Sequence, residues 1–384
     1  MASADAIEIN GIYYNLKRES KTAGVTQNPN KYSGDVVLPE EVTYEDVVYS
    51  VNYIDNFAFE ECAGLTSVTI PNSITEIGSA AFEGCTGLTS IKVPQNITEI
   101  SDNAFYDCSG LTSVHISDLE AWCKIFFAKA ASNPLCYAHH LFLNGTEITD
   151  LVIPNNVTTI KQFAFNGCSG ITTITIPKGV TSIGDMAFNN CGGLTSVTIP
   201  SSLTSLKSSA FRNCSSLKDV YCCSKHVPTI SIGSFEEALL VNATLHVPIG
   251  SVNAYKSTEP WKKFKNIVGI SSSRTIHVET AGTLSTLINK GEEYAIEQLT
   301  LTGEINGDDF KLLRNMAGKS SKGQWIKRFD DTDGLLSVLD LSGVKIVAGG
   351  CYMECGNAYN WREYVVSNDN EIPPYIFNDC SGLR

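Results

Sequence analysis

The sequence predicts a repeat solenoid: a right-handed β-solenoid of short strands and 3₁₀ or helical turns with a 23-residue period. Ala-Phe followed by two residues and Cys recurs as Ala58-Phe59…Cys62, Ala81-Phe82…Cys85 and Ala104-Phe105…Cys108. It returns as Ala164-Phe165…Cys168, Ala187-Phe188…Cys191 and Ala210-Phe211…Cys214. The copies lie 23 residues apart within each triplet. Strand-like runs ending in proline alternate with them, as in Val68-Thr69-Ile70-Pro71, Ile91-Lys92-Val93-Pro94, Ile174-Thr175-Ile176-Pro177 and Val197-Thr198-Ile199-Pro200. A fixed period of this length means one supersecondary unit per repeat, stacked so that neighbours bury each other's apolar face. A parallel crossover of this kind is right-handed.

The organisation follows in order along the chain. Residues 1–46 are expected to form an N-terminal β cap and 47–270 the repeat array. In one repeat, Leu65, Val68 and Ile70 have leucine-rich-repeat spacing, with Val68 and Ile70 on one face of a short strand. Pro71 has no N–H to donate and ends that strand. Ile74 and Ile77 give a second inward pair on the return leg, and Gly78 permits a bend. Ala80-Ala81-Phe82 is then expected to form a helical or 3₁₀ turn that drops Phe82 into the core. The repeat core is therefore Phe59, Cys62, Phe82, Cys85, Phe105 and Cys108, then Phe165, Cys168, Phe188, Cys191, Phe211 and Cys214.

The period breaks at 117–150, read as an embellishment bulging from one edge. Ser117-Asp118 caps an amphipathic helix carrying Leu119, Trp122, Ile125 and Phe126. Asn144-Gly145 suits the type I′ turn of a hairpin. A degraded repeat follows Cys214, with Phe235 one residue late, and 240–270 reads as a closing cap. Residues 271–345 read as a strand–helix spacer module. Residues 346–384, with Phe377…Cys380, read as the start of a second, truncated array.

Leu-x-x-Val-x-Ile-Pro, then Ile-Gly, then Ala-Phe-x-x-Cys resembles the BspA-like leucine-rich repeats over roughly residues 47–270. The embellishment and the closing segment Leu245…Trp261…Phe264 resemble the insert and end unit of that family. The resemblance implies a leucine-rich-repeat fold and a non-enzymatic, exported protein of Bacteroides-like, host-associated bacteria. It further implies an adhesive or binding role toward a host or microbial surface protein or glycan. It names no ligand.

The chain has 384 residues and a net charge of −13, which argues against a nucleic-acid or anionic-membrane partner. The basic clusters Lys17-Arg18 and Lys262-Lys263…Lys265 are short. No stretch approaches the ~20 apolar residues that span a bilayer. The N-terminus lacks the basic and apolar regions of a signal peptide, so an exported placement expects that segment to have been removed. Thirteen cysteines invite a disulfide reading, but seven share one repeat slot. Stacked equivalents lie about 4.8 Å apart with parallel Cβ vectors, a geometry that suits buried reduced thiols rather than bridges. The redox states of Cys222, Cys223, Cys351 and Cys355 stay open at this point.

No phosphate-binding glycine loop, H-E-x-x-H or G-x-S-x-G appears, and the chain is read as having no catalytic residues, metal or cofactor. His139-His140 read as a polar loop, and Asp330-Asp331-Thr332-Asp333-Gly334 as a solvated turn that fails the calcium-loop template. Cys123 and Cys136 read as inert thiols among apolar neighbours.

Strand alternation leaves Ser67, Thr69, Lys92, His115, Thr173, Thr175, Thr198 and Tyr221 on the solvent side of the main sheet. Threonine is polar and a good strand former, so solubility alone accounts for such a surface. The functional reading is a binding face, because extended solenoid surfaces suit large or repetitive partners. The alternative is a targeting or spacer module of a larger surface protein or enzyme.

Overall fold

Each repeat crosses the molecule twice, once on a main sheet and once on a return sheet. A computed structural model describes residues 6–231, 233–288, 292–294, 296–317, 322–324, 336–357 and 360–366, with positions 372, 377, 380 and 383. The main ladder pairs Gly34–Val37 with Leu65–Thr69, and Ser90–Lys92 with Ser113–Ile116 and Leu141–Leu143. It resumes as Asp150–Val152, Thr173–Thr175, Ser196–Ile199, Asp219–Cys222, Thr244–Pro248 and Asn266–Ile270. All these pairings are parallel, and apart from an irregularity at Gly34/Asp35 they are in register, so Ile91 lies beside Val114 and Ile174 beside Val197. The return ladder stacks Val47–Ile54, Glu76–Ile77, Glu99–Ile100 and Phe126–Phe127, then Thr159–Ile160, Ser182–Ile183 and Ser205–Leu206.

Between the two legs the chain turns through Ala-Phe-x-x-Cys. The Phe N–H donates to an Ala carbonyl of the next rung, as in Phe59 to Ala81 at 2.7 Å and Phe188 to Ala210 at 2.9 Å, except that Phe211 donates to the Ser234 carbonyl at 2.9 Å. The turn carries 3₁₀-type i→i+3 bonds, such as Cys85 N–H to the Phe82 carbonyl at 3.1 Å. It also places two left-handed residues four apart in each repeat, Ala80 (φ 53) with Gly84 (φ 71), or Met186 (φ 53) with Asn190 (φ 60). A non-glycine residue there costs about 1–2 kcal/mol, offset by the bonds between repeats. The phenylalanines stack face to face: Phe59 on Phe82 at 4.9 Å, Phe165 on Phe188 and Phe188 on Phe211 at 5.2 Å. Phe235 keeps its place in the column at 5.5 Å from Phe211 despite the one-residue lag.

The repeat-slot cysteines are reduced and buried, and Cys123, Cys136, Cys222, Cys223 and Cys351 are likewise unbridged. They also hydrogen-bond. The Cys85, Cys108, Cys191 and Cys214 thiols donate to the carbonyls of Phe59, Phe82, Phe165 and Phe188 at 3.0–3.2 Å. Each thiol thus ties its repeat to the preceding phenylalanine.

Both ends of the column are closed. At the N-terminal end Tyr32 packs on Phe59 at 4.7 Å, and the meander Ile7–Ile9, Ile12–Lys17, Thr22–Val25 borders Val47–Ile54. Asn10 (φ 52) and Gly11 (φ 81) turn its first hairpin as a type I′ pair requires. Val36, on the first rung, already belongs to the core. At the other end Trp261 and Phe264 cover Phe235, and the Trp261 indole donates to the Pro228 carbonyl at 2.8 Å. Phe188→Ala, mid-column and fully buried, is expected to cost about 3–5 kcal/mol in urea unfolding because its neighbours cannot close the void. A loss under about 1 kcal/mol would mean that the column is not what holds the array.

The 117–150 segment departs from expectation. Asp118 caps the helix Leu119–Lys124, accepting from Ala121 N–H at 3.0 Å, and Asn144-Gly145 turns the hairpin at φ 50 and 85. Phe126 is 43 % exposed, however, and it is Phe127 that is buried. The segment does not bulge from an edge but occupies a rung, through Phe126–Phe127 on the return ladder and Leu141–Leu143 on the main one. Beyond it neither ladder continues from strand to strand; backbone bonds such as Lys161 N–H to the Cys123 carbonyl and Gly170 N–H to the His139 carbonyl, both at 3.2 Å, join side chains in bridging the seam. The Ala164 carbonyl, whose equivalents elsewhere accept from a Phe N–H, accepts instead from the Trp122 indole at 2.8 Å and the Asn133 amide at 3.1 Å. One hydrophobic core nevertheless runs from Tyr14 to Ile267.

A second unit follows with its own core, built on the parallel strands Ser273–Val278, Gln298–Ile305 and Val338–Ile346. Its helix Gly307–Met316 is capped by Asn306, and buried Asp309 accepts from the Gly282, Leu284 and Asn306 N–H groups. Of the expected second array, Cys380 is buried, Phe377 packs on this core and Ile372 is exposed. Gly349–Asn357 and Asn360–Val366 pair antiparallel as a hairpin, not as a parallel rung of a second array, while 367–371, 373–376 and Asp330–Gly334 lie outside the described residues.

Candidate binding face

The outward side of the main sheet carries two rows of side chains flanking the buried Val68–Ile91–Val114 line. Asp35, Ser67, Ser90 and Ser113 occupy one row, and Val37, Thr69, Lys92, His115 and Phe142 the other. Asp35 accepts from Thr66 Oγ1 at 2.9 Å and Ser67 Oγ at 2.6 Å, and these hydroxyl donors lower its carboxyl pKa. Thr69 and Lys92 are exposed and Ser67 and His115 half-buried. His115 bonds Ser113 Oγ through Nε2 at 3.1 Å and stacks on Phe142 at 4.9 Å. Phe142 went unassigned from sequence because it lies in the non-periodic segment; its parallel pairing with His115 puts it on the face.

The strand-entry threonines are committed within the fold. Thr112, Thr172 and Thr195 donate their hydroxyls to the carbonyls of Thr89, Thr149 and Thr172 at 3.0–3.1 Å. This regular hydroxyl line binds the array to itself and leaves the face to the two rows on the strands.

Beyond the seam the face changes. Val152 is 61 % exposed, and Thr173 and Thr175 are half-buried. Thr198 and Tyr221, placed on the solvent side by alternation, are only 6 % exposed. Tyr221 stacks on His246 at 4.4 Å, and His246 Nε2 meets Asp219 Oδ1 at 2.7 Å. Burial pushes the Tyr221 phenol up to about 12, with Asp219 and Glu293 adding to the shift. The open candidate face is therefore Ser67, Thr69, Lys92, His115 and Phe142, continuing to Val152, Thr173 and Thr175.

No group of His, Cys, Asp and Glu able to hold a metal ion occurs among the described residues. His139 meets the Gly167 carbonyl at 2.9 Å and His140 meets Glu147 at 2.6 Å, so the adjacent imidazoles face separate partners. Burial raises the Cys123 and Cys136 thiols, the reverse of what activates a nucleophile, and Cys136 donates to the Ala130 carbonyl at 2.8 Å. No described helix is long and apolar enough to cross a membrane.

The family model described as the BspA type leucine rich repeat region matches six copies, over residues 40–132 and 138–256, more than half of the chain. No curated protein matches it. Among solved structures, a leucine-rich repeat protein of T. pallidum is 25 % identical, covering 56 % of this chain and 80 % of its own, at a TM-score of 0.34. A leucine-rich repeat protein from Bacteroides ovatus is 21 % identical over 78 % of this chain and 88 % of its own, with a TM-score of 0.32. A leucine rich cell surface protein from Faecalibacterium prausnitzii is 19 % identical over 71 % and 96 %, with a TM-score of 0.30. TM-scores of this size carry no argument, and the assignment rests on the repeat model.

Proposed function

The chain belongs to the BspA-type leucine-rich repeat family, and from that premise we propose that it is a non-enzymatic, exported binding scaffold for a host or microbial surface protein or glycan. The observation that carries this reading is the uncovered double row on the main sheet. Successive rungs display Ser67 and Thr69, then Lys92, His115 and Phe142, on one continuous core. Such a face holds a large partner by several weak contacts at fixed spacing. Lys92, the one cation in this stretch of face, and the His115–Phe142 stack are its most distinctive groups.

The purified chain, probed against a panel of host matrix proteins and glycans, is expected to bind at least one reproducibly. Lys92→Glu with His115→Ala should weaken that binding roughly tenfold or more while the fold is kept. Silence across the panel, or binding indifferent to these changes, would move the assignment to the second reading. In that reading the chain is a targeting or spacer module of a larger surface protein or enzyme. The second unit, with a separate core joined at Ile270, favours it.

A further inference from the structure

The last strand of the array, Asn266–Ile270, passes within three residues into Ser273–Val278 of the second unit. This connection brings residues of the second unit against the outward side of Asp219–Cys222. Tyr221, Cys223 and Ile270 form a small apolar cluster there, separate from the core of the array and from that of the second unit. Tyr221 and Cys223 are each 6 % exposed although both lie on the outward side of their strand. Lys225 Nζ reaches Glu297 Oε1 at 2.7 Å across the seam, with Lys225 65 % and Glu297 30 % exposed. Within the second unit, Arg274 pairs with the buried Glu292 beside the same cluster.

Two clefts open to solvent lie along the seam. One cavity of ≈ 280 Å³ lies between Tyr221, His246 and Ile270 on one side and Arg274 and Glu292 on the other. A second, of ≈ 430 Å³, lies between Cys223, Lys225 and Ile249 on one side and Ser272 and Glu297 on the other. Two units with separate cores, meeting along these clefts and through an exposed ion pair, have the anatomy of domains that part.

We propose that the second unit is a detachable cover on the C-terminal part of the outward face. Docked, it hides Tyr221 and Cys223. Undocked, it returns them to solvent beside the Asp219–His246 pair and lengthens the face by several rungs. The enlargement of a binding face rests on the scaffold reading above; the docking and undocking do not.

The test therefore needs no binding partner. Maleimide labelling of Cys223 in the full chain, followed by peptide mass mapping, reads the cover directly. Cys222 is the internal control, since its sulfur lies inside the array at 3.2 Å from Tyr255 Oη. Cys223 should label slowly in low salt. Lys225→Glu, or molar salt, should speed its labelling roughly fivefold, the factor an ion pair of about 1 kcal/mol sets. Cys222 should stay protected throughout, and Lys225→Glu combined with Glu297→Lys should restore slow labelling in low salt. Cys223 as slow in Lys225→Glu and in high salt as in the parent chain would show a fixed interface and overturn the proposal. Fast labelling of Cys223 in the parent chain at low salt would show no cover and overturn it equally.

Discussion

Above pH 9, the ordinary ionisation point of a thiol, the array is expected to lose stability steeply. Burial raises Cys108, Cys168 and Cys214 to about 12 and Cys222 to about 11, and it pushes Cys85, Cys123 and Cys191 up as well. The folded state therefore keeps these protons while the unfolded chain releases them. Stability is full below pH 9 and falls as pH climbs through the interval between 9 and about 12. Each thiol removes about 1.4 kcal/mol per pH unit in that interval. Several acting together exhaust a typical stability of about 5–15 kcal/mol within one or two pH units. Buried Tyr14, Tyr32 and Tyr255, with phenols raised in the same direction from 10, add to the loss at the upper end. Far-UV circular dichroism against pH checks this. Replacing Cys108, Cys168 and Cys214 with alanine should move the alkaline midpoint upward, at roughly 1 kcal/mol per site at neutral pH for the lost packing and, at Cys108 and Cys214, the lost hydrogen bond. A flat profile from pH 8 to 11, or a midpoint indifferent to the three substitutions, would refute the account.

The second large effect concerns the seam after residue 150. Trp122→Ala should cost about 3–5 kcal/mol by removing a fully buried ring. It also removes one of the two side-chain donors on the Ala164 carbonyl. Rungs on either side share a core there but no ladder, so the two halves should cease to unfold together. Urea titration should change from one transition to two, and hydrogen exchange should rise first around Thr159–Ile160. Trp122→Phe keeps most of the packing and loses the indole donor, so a cost of about 1 kcal/mol with a single transition is expected. A single transition in Trp122→Ala at the parent midpoint would mean that the seam transmits nothing.

Much of this was legible in the residues. The phenylalanine column, the reduced cysteine slot and the strand register follow from periodicity, because a side chain that recurs every rung can only stack upon itself. Three things were not. The thiol-to-carbonyl bonds were hidden because a buried cysteine reads equally well as a small apolar group. The left-handed positions were hidden because Phe57, Ala80 and Met186 carry them in place of glycine. The burial of Tyr221 was hidden because its ring stacks on His246 of the next rung and clusters with Ile270, in the degraded, non-periodic end of the array. Alternation places a side chain on a face; it says nothing about what a later segment lays over that face. The seam escaped for a related reason, since Trp122 and Asn133 stand in for a backbone donor from non-periodic positions.

The in-register pairing of Lys92, His115 and Phe142 has a further consequence. Successive functional groups are graduated at about 4.8 Å, as on a ruler. Excising one whole 23-residue unit would slide every later mark by a single graduation and leave the joint chemistry as it was. The molecule can thus be recalibrated to a partner of different pitch by changing its number of units, without redesigning any one of them.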